Sequence, residues 1–325
     1  MKSMRRSDWS LLSAAVVGAL MLGGCSPQPE PGPKEKPQEP KTAAAAPQEA
    51  AAKPEAKPPA KPPAGPEESP KPETKAEKPA KAEPPAAADL PPPPKVSSFA
   101  PAEDLVYQMD KYLDEMEQGT ANEAEYKDLP EGKVSQTGST MVLLAVALGS
   151  SDQDNKYKAN AAALLAACQK LAAATDYAAT KQAVEGVAAA AKSQGPGGGE
   201  VKWAKLADLK DLMKQVPNIN TKLKTNVKRL SARAKEAGGN SAALAVIAQG
   251  SMANVSDTIK PAESKKWFAN CAEMREAAAA VNAGVHARNE KAVNESMDRL
   301  QKSCEDCHDV FKEKKDEEKK PAPGA

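Results

Sequence analysis

From residue 99 onward, apolar side chains recur at spacings of three and four, the period of a helix that buries one face. That spacing predicts helices over 101–118, 133–148, 156–174 and 177–192. The run Gly195-Pro196-Gly197-Gly198-Gly199 then breaks the chain. A second series is predicted over 201–237 with an interruption at Pro217, then over 241–258, 262–282 and 289–315. No convincing strand pattern appears. Before residue 97 the helical pattern is missing: 27–95 is Pro, Ala, Lys and Glu with almost no large apolar side chain. Such a stretch cannot bury enough surface to offset the entropy of ordering. The expectation is an all-α chain of two consecutive antiparallel four-helix bundles, 97–194 and 200–316, after a disordered Pro/Ala-rich linker at 26–96 and before a disordered tail at 317–325.

Composition shortens the part that folds. Of the 29 prolines, 22 lie between Pro27 and Pro94, so the linker is expected to stay extended and to act as a tether. Fully stretched, its roughly 70 residues would reach on the order of 200 Å. Aromatics make up 3% of the chain and alanine is abundant, which suits closely packed helices better than sheets. Lys and Arg number 45 against 44 Asp and Glu, and this balance argues against a nucleic-acid partner.

The first 25 residues have the layout of an export signal. Lys2, Arg5 and Arg6 precede an apolar run from Leu11 to Leu22 that is too short to span a bilayer. Leu22-Gly23-Gly24-Cys25 resembles a bacterial lipobox, in which the cysteine is acylated and becomes the new N-terminus. An ordinary signal peptide with a chance cysteine is the alternative. Acyl chains on Cys25 would anchor the protein to a membrane without spanning it, since each buried methylene adds about 0.8 kcal/mol. Ser26 after the cysteine resembles lipoproteins sorted to the outer membrane. The expected location is the periplasm, on a lipid anchor.

The two helical series also resemble each other. Leu144-Ala145-Val146 matches Leu244-Ala245-Val246, and Leu165-Ala166-Ala167-Cys168 answers Phe268-Ala269-Asn270-Cys271. An internal duplication is one reading, and chance matching of alanine-rich helices is the other. Cys168 and Cys271 read as small buried core residues rather than as a disulfide.

The chemistry lies near the end, in Cys304-Glu305-Asp306-Cys307-His308. Two thiols three residues apart on a helical turn, followed by an imidazole, form the attachment pattern of one covalent haem c. Cys304 and Cys307 would carry the thioether links and His308 would be the proximal iron ligand. A redox dithiol and half of a zinc site share these letters. The first wants a βαβ context and the second wants further Cys or His nearby, and the sequence offers neither. Val293, Met297, Leu300, Cys304, His308 and Phe311 recur at helical spacing, which predicts a core-facing stripe ending in the haem.

A four-helix bundle with Cys-x-x-Cys-His on its last helix, Phe311-Lys312 after it and Trp267 on its third helix is similar to the cytochrome c′ family, over about 201–316. In the low-spin, electron-transfer branch of that family a Leu-Met-Lys run supplies the sixth iron ligand. Here the run is Leu212-Met213-Lys214, so the resemblance implies Met213 as the distal ligand; ordinary core packing is the alternative. Pro217 cannot donate to the Met213 carbonyl and is expected to kink or end the helix. His286 is expected in a solvated turn, some 18 residues and about 25 Å along the helix from Cys304. The resemblance implies an electron carrier rather than an enzyme, whose partners would be periplasmic or membrane redox proteins. Lysines such as Lys302, Lys312 and Lys314 near the haem edge would steer an acidic partner, and a solvated helix end is the alternative reading of that charged run. The alternative is an open distal site that binds nitric oxide or carbon monoxide, as in the high-spin branch. Peroxide chemistry is a weaker third, with no distal His or Arg to place. Dimers are frequent in that family, so a homodimer through the first two helices of the bundle is an assembly to test.

Overall fold

The computed structural model describes residues 90–193 and 200–312. The expected export signal, Cys25, residues 26–89 of the expected linker, the glycine run and residues beyond 312 lie outside the described residues. The last stretch of that linker, 90–96, is ordered, with Leu90 packed on a core cluster and Val96 buried at the start of a 3-10 helix. Among the described residues there are nine α-helices, four short 3-10 helices and no strand, so the fold is all-α. No described helix is long and apolar enough to cross a membrane.

The first half contains α1 (Ala102–Gly119), the short α2 (Glu123–Lys127), α3 (Lys133–Ser150), α4 (Ala161–Ala172) and α5 (Tyr177–Lys192). Local signals set several starts. The Asn122 side chain accepts from the amides of Ala124 and Glu125, and Asp176 accepts from Ala179. Glu103 and Asp104 occupy the first turn of α1, where carboxylates favour the positive helix end. Helix α3 is entered through Gly132, whose φ of 72° suits glycine. The second half contains α6 (Leu209–Val227), α7 (Leu230–Ser251), α8 (Ser264–His286) and α9 (Glu290–Phe311). Asp208 caps α6 through the Asp211 amide, and Asn289 caps α9 through Ala292.

Helices α3 and α7 are the central pair. Nearly every side chain from Thr137 to Leu148 and from Ala237 to Ser251 is buried, as in a helix surrounded on all sides. Helix α3 packs on α1 and α4, α5 packs on α4 and α1, and α7 joins α6 to α8, with α9 on α8. The halves also touch each other: α1 and α3 pack against α7, and α3 packs against α6. Buried side chains from both halves form one continuous apolar cluster, from Leu105, Met109 and Met116 through Leu143 and Leu148 to Leu212, Ile219 and Leu300.

Two expectations are corrected here. Pro217 does not interrupt its helix: α6 begins at Leu209 and runs through the proline to Val227. Proline's fixed φ fits a helix, so its cost falls on the missing bond to the Met213 carbonyl, and the buried face of Leu212, Ile219 and Leu223 holds the helix together. The break falls later, at Arg229 (φ −129°, ψ 41°). His286 is not in a free turn. It ends α8, and its Nε2 lies 2.7 Å from Oδ2 of the buried Asp104 in α1. Asn282 donates to the same Asp104 oxygen at 2.7 Å.

Candidate haem site

Four helices of the second half surround a cavity of about 370 Å³, within the range of sites that hold small organic molecules. Helix α6 contributes Met213, Val216, Pro217 and Asn220, and α8 contributes Trp267, Asn270, Cys271 and Met274. Both sets follow the i, i+3, i+4, i+7 pattern of one helix face. Ala248 and Ser251 of α7 lie between them, and Cys304, Cys307 and His308 of α9 complete the wall. Consecutive helices in this half pack closely along their lengths, whereas α6 and α9 barely approach one another. Two larger hollows, of about 730 and 720 Å³, lie elsewhere and are lined by no thiol or imidazole.

The cavity brings together all four residues that the sequence singled out for iron and haem. Cys304 and Cys307 are half-buried and His308 is exposed at the rim. The buried ridge of α9 is Val293, Met297, Leu300, Ser303 and Phe311, which differs from the expected stripe. One residue on a helix turns about 100°, so a ridge that runs past Cys307 leaves His308 on the cavity's outer edge. Trp267 closes one end: its ring meets Phe311 edge-on at 5.2 Å and its Nε1 donates to the Ser251 carbonyl at 3.0 Å. Met213 is half-buried and also packs against the main core.

Electrostatics favours neutral ligands. Burial pushes the Cys307 thiol up to about 11, against a lowering contact from Asn270. Burial also raises Cys304, which Ser303 and Lys224 oppose. Cys271 is raised well above the thiol range by burial, with Cys307 adding to the effect. His308 is lowered by burial and then by Lys312, which favours the neutral imidazole that binds metals. A dithiol oxidant relies on a depressed thiol pKa, and neither thiol here has one. Among the described residues no group of three or more His, Cys, Asp or Glu is arranged to hold a metal ion on its own. Cys168 and Cys271 are both free, buried thiols.

Sequence reasoning missed the polar part of the cavity. Asn220, Ser251 and Asn270 line this cavity, and their Oδ1, Oγ and Nδ2 atoms respectively are buried with no hydrogen-bond partner. Asn270 lies close enough to Cys307 to lower its pKa, yet without the geometry of a hydrogen bond. Buried polar atoms are costly to leave unpaired, and three residues lining this cavity each carry one, so its wall is polar as well as apolar. The face pattern of α6 and α8 was visible in the sequence, but the convergence of the three polar groups was not. Comparison of the chain with known protein families, curated proteins and solved structures finds no match.

Proposed function

We propose that the protein is a membrane-tethered periplasmic electron carrier with one covalent haem c in the cavity between α6 and α9. The observation that carries this reading is that Cys304, Cys307 and His308 share one cavity with Met213, which projects from the helix on the opposite side of the gap. The donor set fits the group: two thiols for thioether links, a neutral imidazole for the iron, and a thioether sulfur as sixth ligand. The bound haem would supply a reversible one-electron couple at its iron.

The chain's own residues do the rest. Cys304 and Cys307 would hold the group to a rigid helix, and His308 and Met213 would supply an imidazole nitrogen and a thioether sulfur to its iron, so that little need move when an electron is exchanged. Val216, Ala248, Trp267 and Met274 line the same cavity and would keep water away from it. Asn220, Ser251 and Asn270 would supply the polar part of the wall around it. We read the helical body as two four-helix bundles joined along α1, α3, α6 and α7, with the second carrying the site and the first serving as its support. Resemblance to the cytochrome c′ family, the Cys25 anchor and the linker complete the proposal from the sequence.

A second reading has an observation of its own. Met213 packs against the main core, a role that would leave the distal position open to nitric oxide or carbon monoxide. Optical spectra of the holoprotein, oxidised and reduced, with and without carbon monoxide, separate the two in wild type and Met213→Ala. The carrier requires sharp low-spin bands, a methionine-to-iron band that vanishes in the variant, and no carbon monoxide shift in wild type. A high-spin spectrum that shifts with carbon monoxide and ignores the mutation makes gas binding the function. Absence of covalent haem when the chain is made with a haem-attachment system overturns both.

A further inference from the structure

Arg275 on α8 is a cation nearly withdrawn from water, with a side chain only 12% exposed. Its strongest partner carries no charge: Nη1 donates to Gln249 Oε1 at 2.5 Å. Its carboxylate neighbour, Glu276, stands 3.7 Å from Nη2, is 57% exposed and also faces Arg299 at 3.4 Å. On another side the guanidinium lies 5.8 Å from the centre of the buried Phe99 ring. Burial lowers its pKa, with Glu276 and Cys271 opposing, but a guanidinium keeps its proton throughout. A buried charge without a full counter-charge is a stability cost that an apolar residue would avoid.

The position suggests what offsets that cost. Arg275 follows Met274 and stands one helical turn beyond Cys271, and both of these line the cavity. The guanidinium is also electrostatically coupled to the Cys271 thiol. Resting on the haem reading above, we propose that Arg275 sets the reduction potential of the iron by placing a fixed, poorly screened positive charge behind the α8 wall of the site.

The step concerned is one electron passing from a donor redox protein to ferric iron, giving ferrous iron with no bond made or broken. The site loses one unit of positive charge in that step. A nearby cation therefore favours the reduced state, and in a low-dielectric wall it does so more strongly than a lysine in solvent. Glu276 weakens the effect little, because its carboxylate is solvated and shared.

The test is a potentiometric titration of the full-length holoprotein as wild type, Arg275→Met, Arg275→Lys, Gln249→Glu and Lys265→Ala, followed by the haem bands. At the wild-type midpoint, Arg275→Met is expected to raise the oxidised-to-reduced ratio by roughly threefold to tenfold, with band positions unchanged. Arg275→Lys keeps most of the wild-type midpoint, and Lys265→Ala, a control at an exposed lysine in the first turn of α8, does not move it. Gln249→Glu leaves Arg275 in place but sets a counter-charge beside it, so the midpoint falls even if Arg275→Met does not fold. An unchanged midpoint in Gln249→Glu, or an equal fall in Arg275→Lys and Arg275→Met, overturns the proposal. A pyridine haemochrome assay on wild type that finds no covalent haem overturns the haem reading instead.

Discussion

Glu115 is the side chain through which three helices meet. From α1 it accepts from Lys133 of α3 at 3.0 Å and from Lys222 of α6 at 3.2 Å. Burial alone would raise its pKa, but the two ammonium groups outweigh burial and hold it below the usual carboxylate range. A depressed native pKa stabilises the fold above the unfolded value and is lost as pH falls through the native one. Stability is therefore expected to decline on acidification below the ordinary Glu range, and Glu115→Gln should flatten that decline while lowering stability at neutral pH. Urea titrations across acidic pH measure both; parallel curves for wild type and variant would remove Glu115 from the account. The same scale shows why motif residues were easier to find than their neighbours. Cys304, Cys307 and His308 lie within five residues of sequence, whereas Arg275 meets Gln249, and Ser251 and Asn270 come to line one cavity, only after folding.

Two glycines show how differently equal residues act within elements. On α3, a Cβ at Gly138 would meet the backbone of Ala172 at 2.6 and 2.7 Å, so neither helix can give way cheaply. On α5, a Cβ at Gly186 would meet nothing within 4 Å. Gly138→Ala is expected to destabilise by about 1–3 kcal/mol through overpacking. Gly186→Ala is expected to stabilise by roughly 0.5–1 kcal/mol, because alanine loses less backbone entropy in a helix. Thermal melts of the two variants should shift in opposite directions; a tolerated Gly138→Ala would mean that α3 and α4 can slide apart. The periodicity placed α1, α3 and α5 within about two residues of their ends. It failed at α6, where a strong local signal, Pro217, was overruled by the packing of Leu212, Ile219 and Leu223.

At the scale of the molecule the two halves are held by polar as well as apolar contacts. Asp104 of α1 meets Asn282 and His286 of α8, and Asn218 of α6 donates to Gln136 of α3 at 3.3 Å. The central core also runs across both halves without a gap. Unfolding is therefore expected to be one transition. Far-UV circular dichroism reports all helices, and Trp267, packed between α7 and α9, reports the second half in a variant carrying Trp9→Phe and Trp203→Phe. The two signals should coincide, and Asp104→Ala should lower both midpoints together by about 1–3 kcal/mol. Separate midpoints would show instead that each half folds by itself.

What the sequence determined by itself was local: the helices, written in spacings of three and four, and the Cys-x-x-Cys-His run, whose thiols and imidazole need only neighbouring positions on one turn. Tertiary structure decided what depends on residues far apart. It set the gap between α6 and α9, the convergence of Asn220, Ser251 and Asn270 on it, the seating of Arg275 against Gln249, and the pairing of His286 with Asp104 across 182 positions. A helical period says which face of a helix is buried but not which other helix covers it, and each of these features is a property of that second choice.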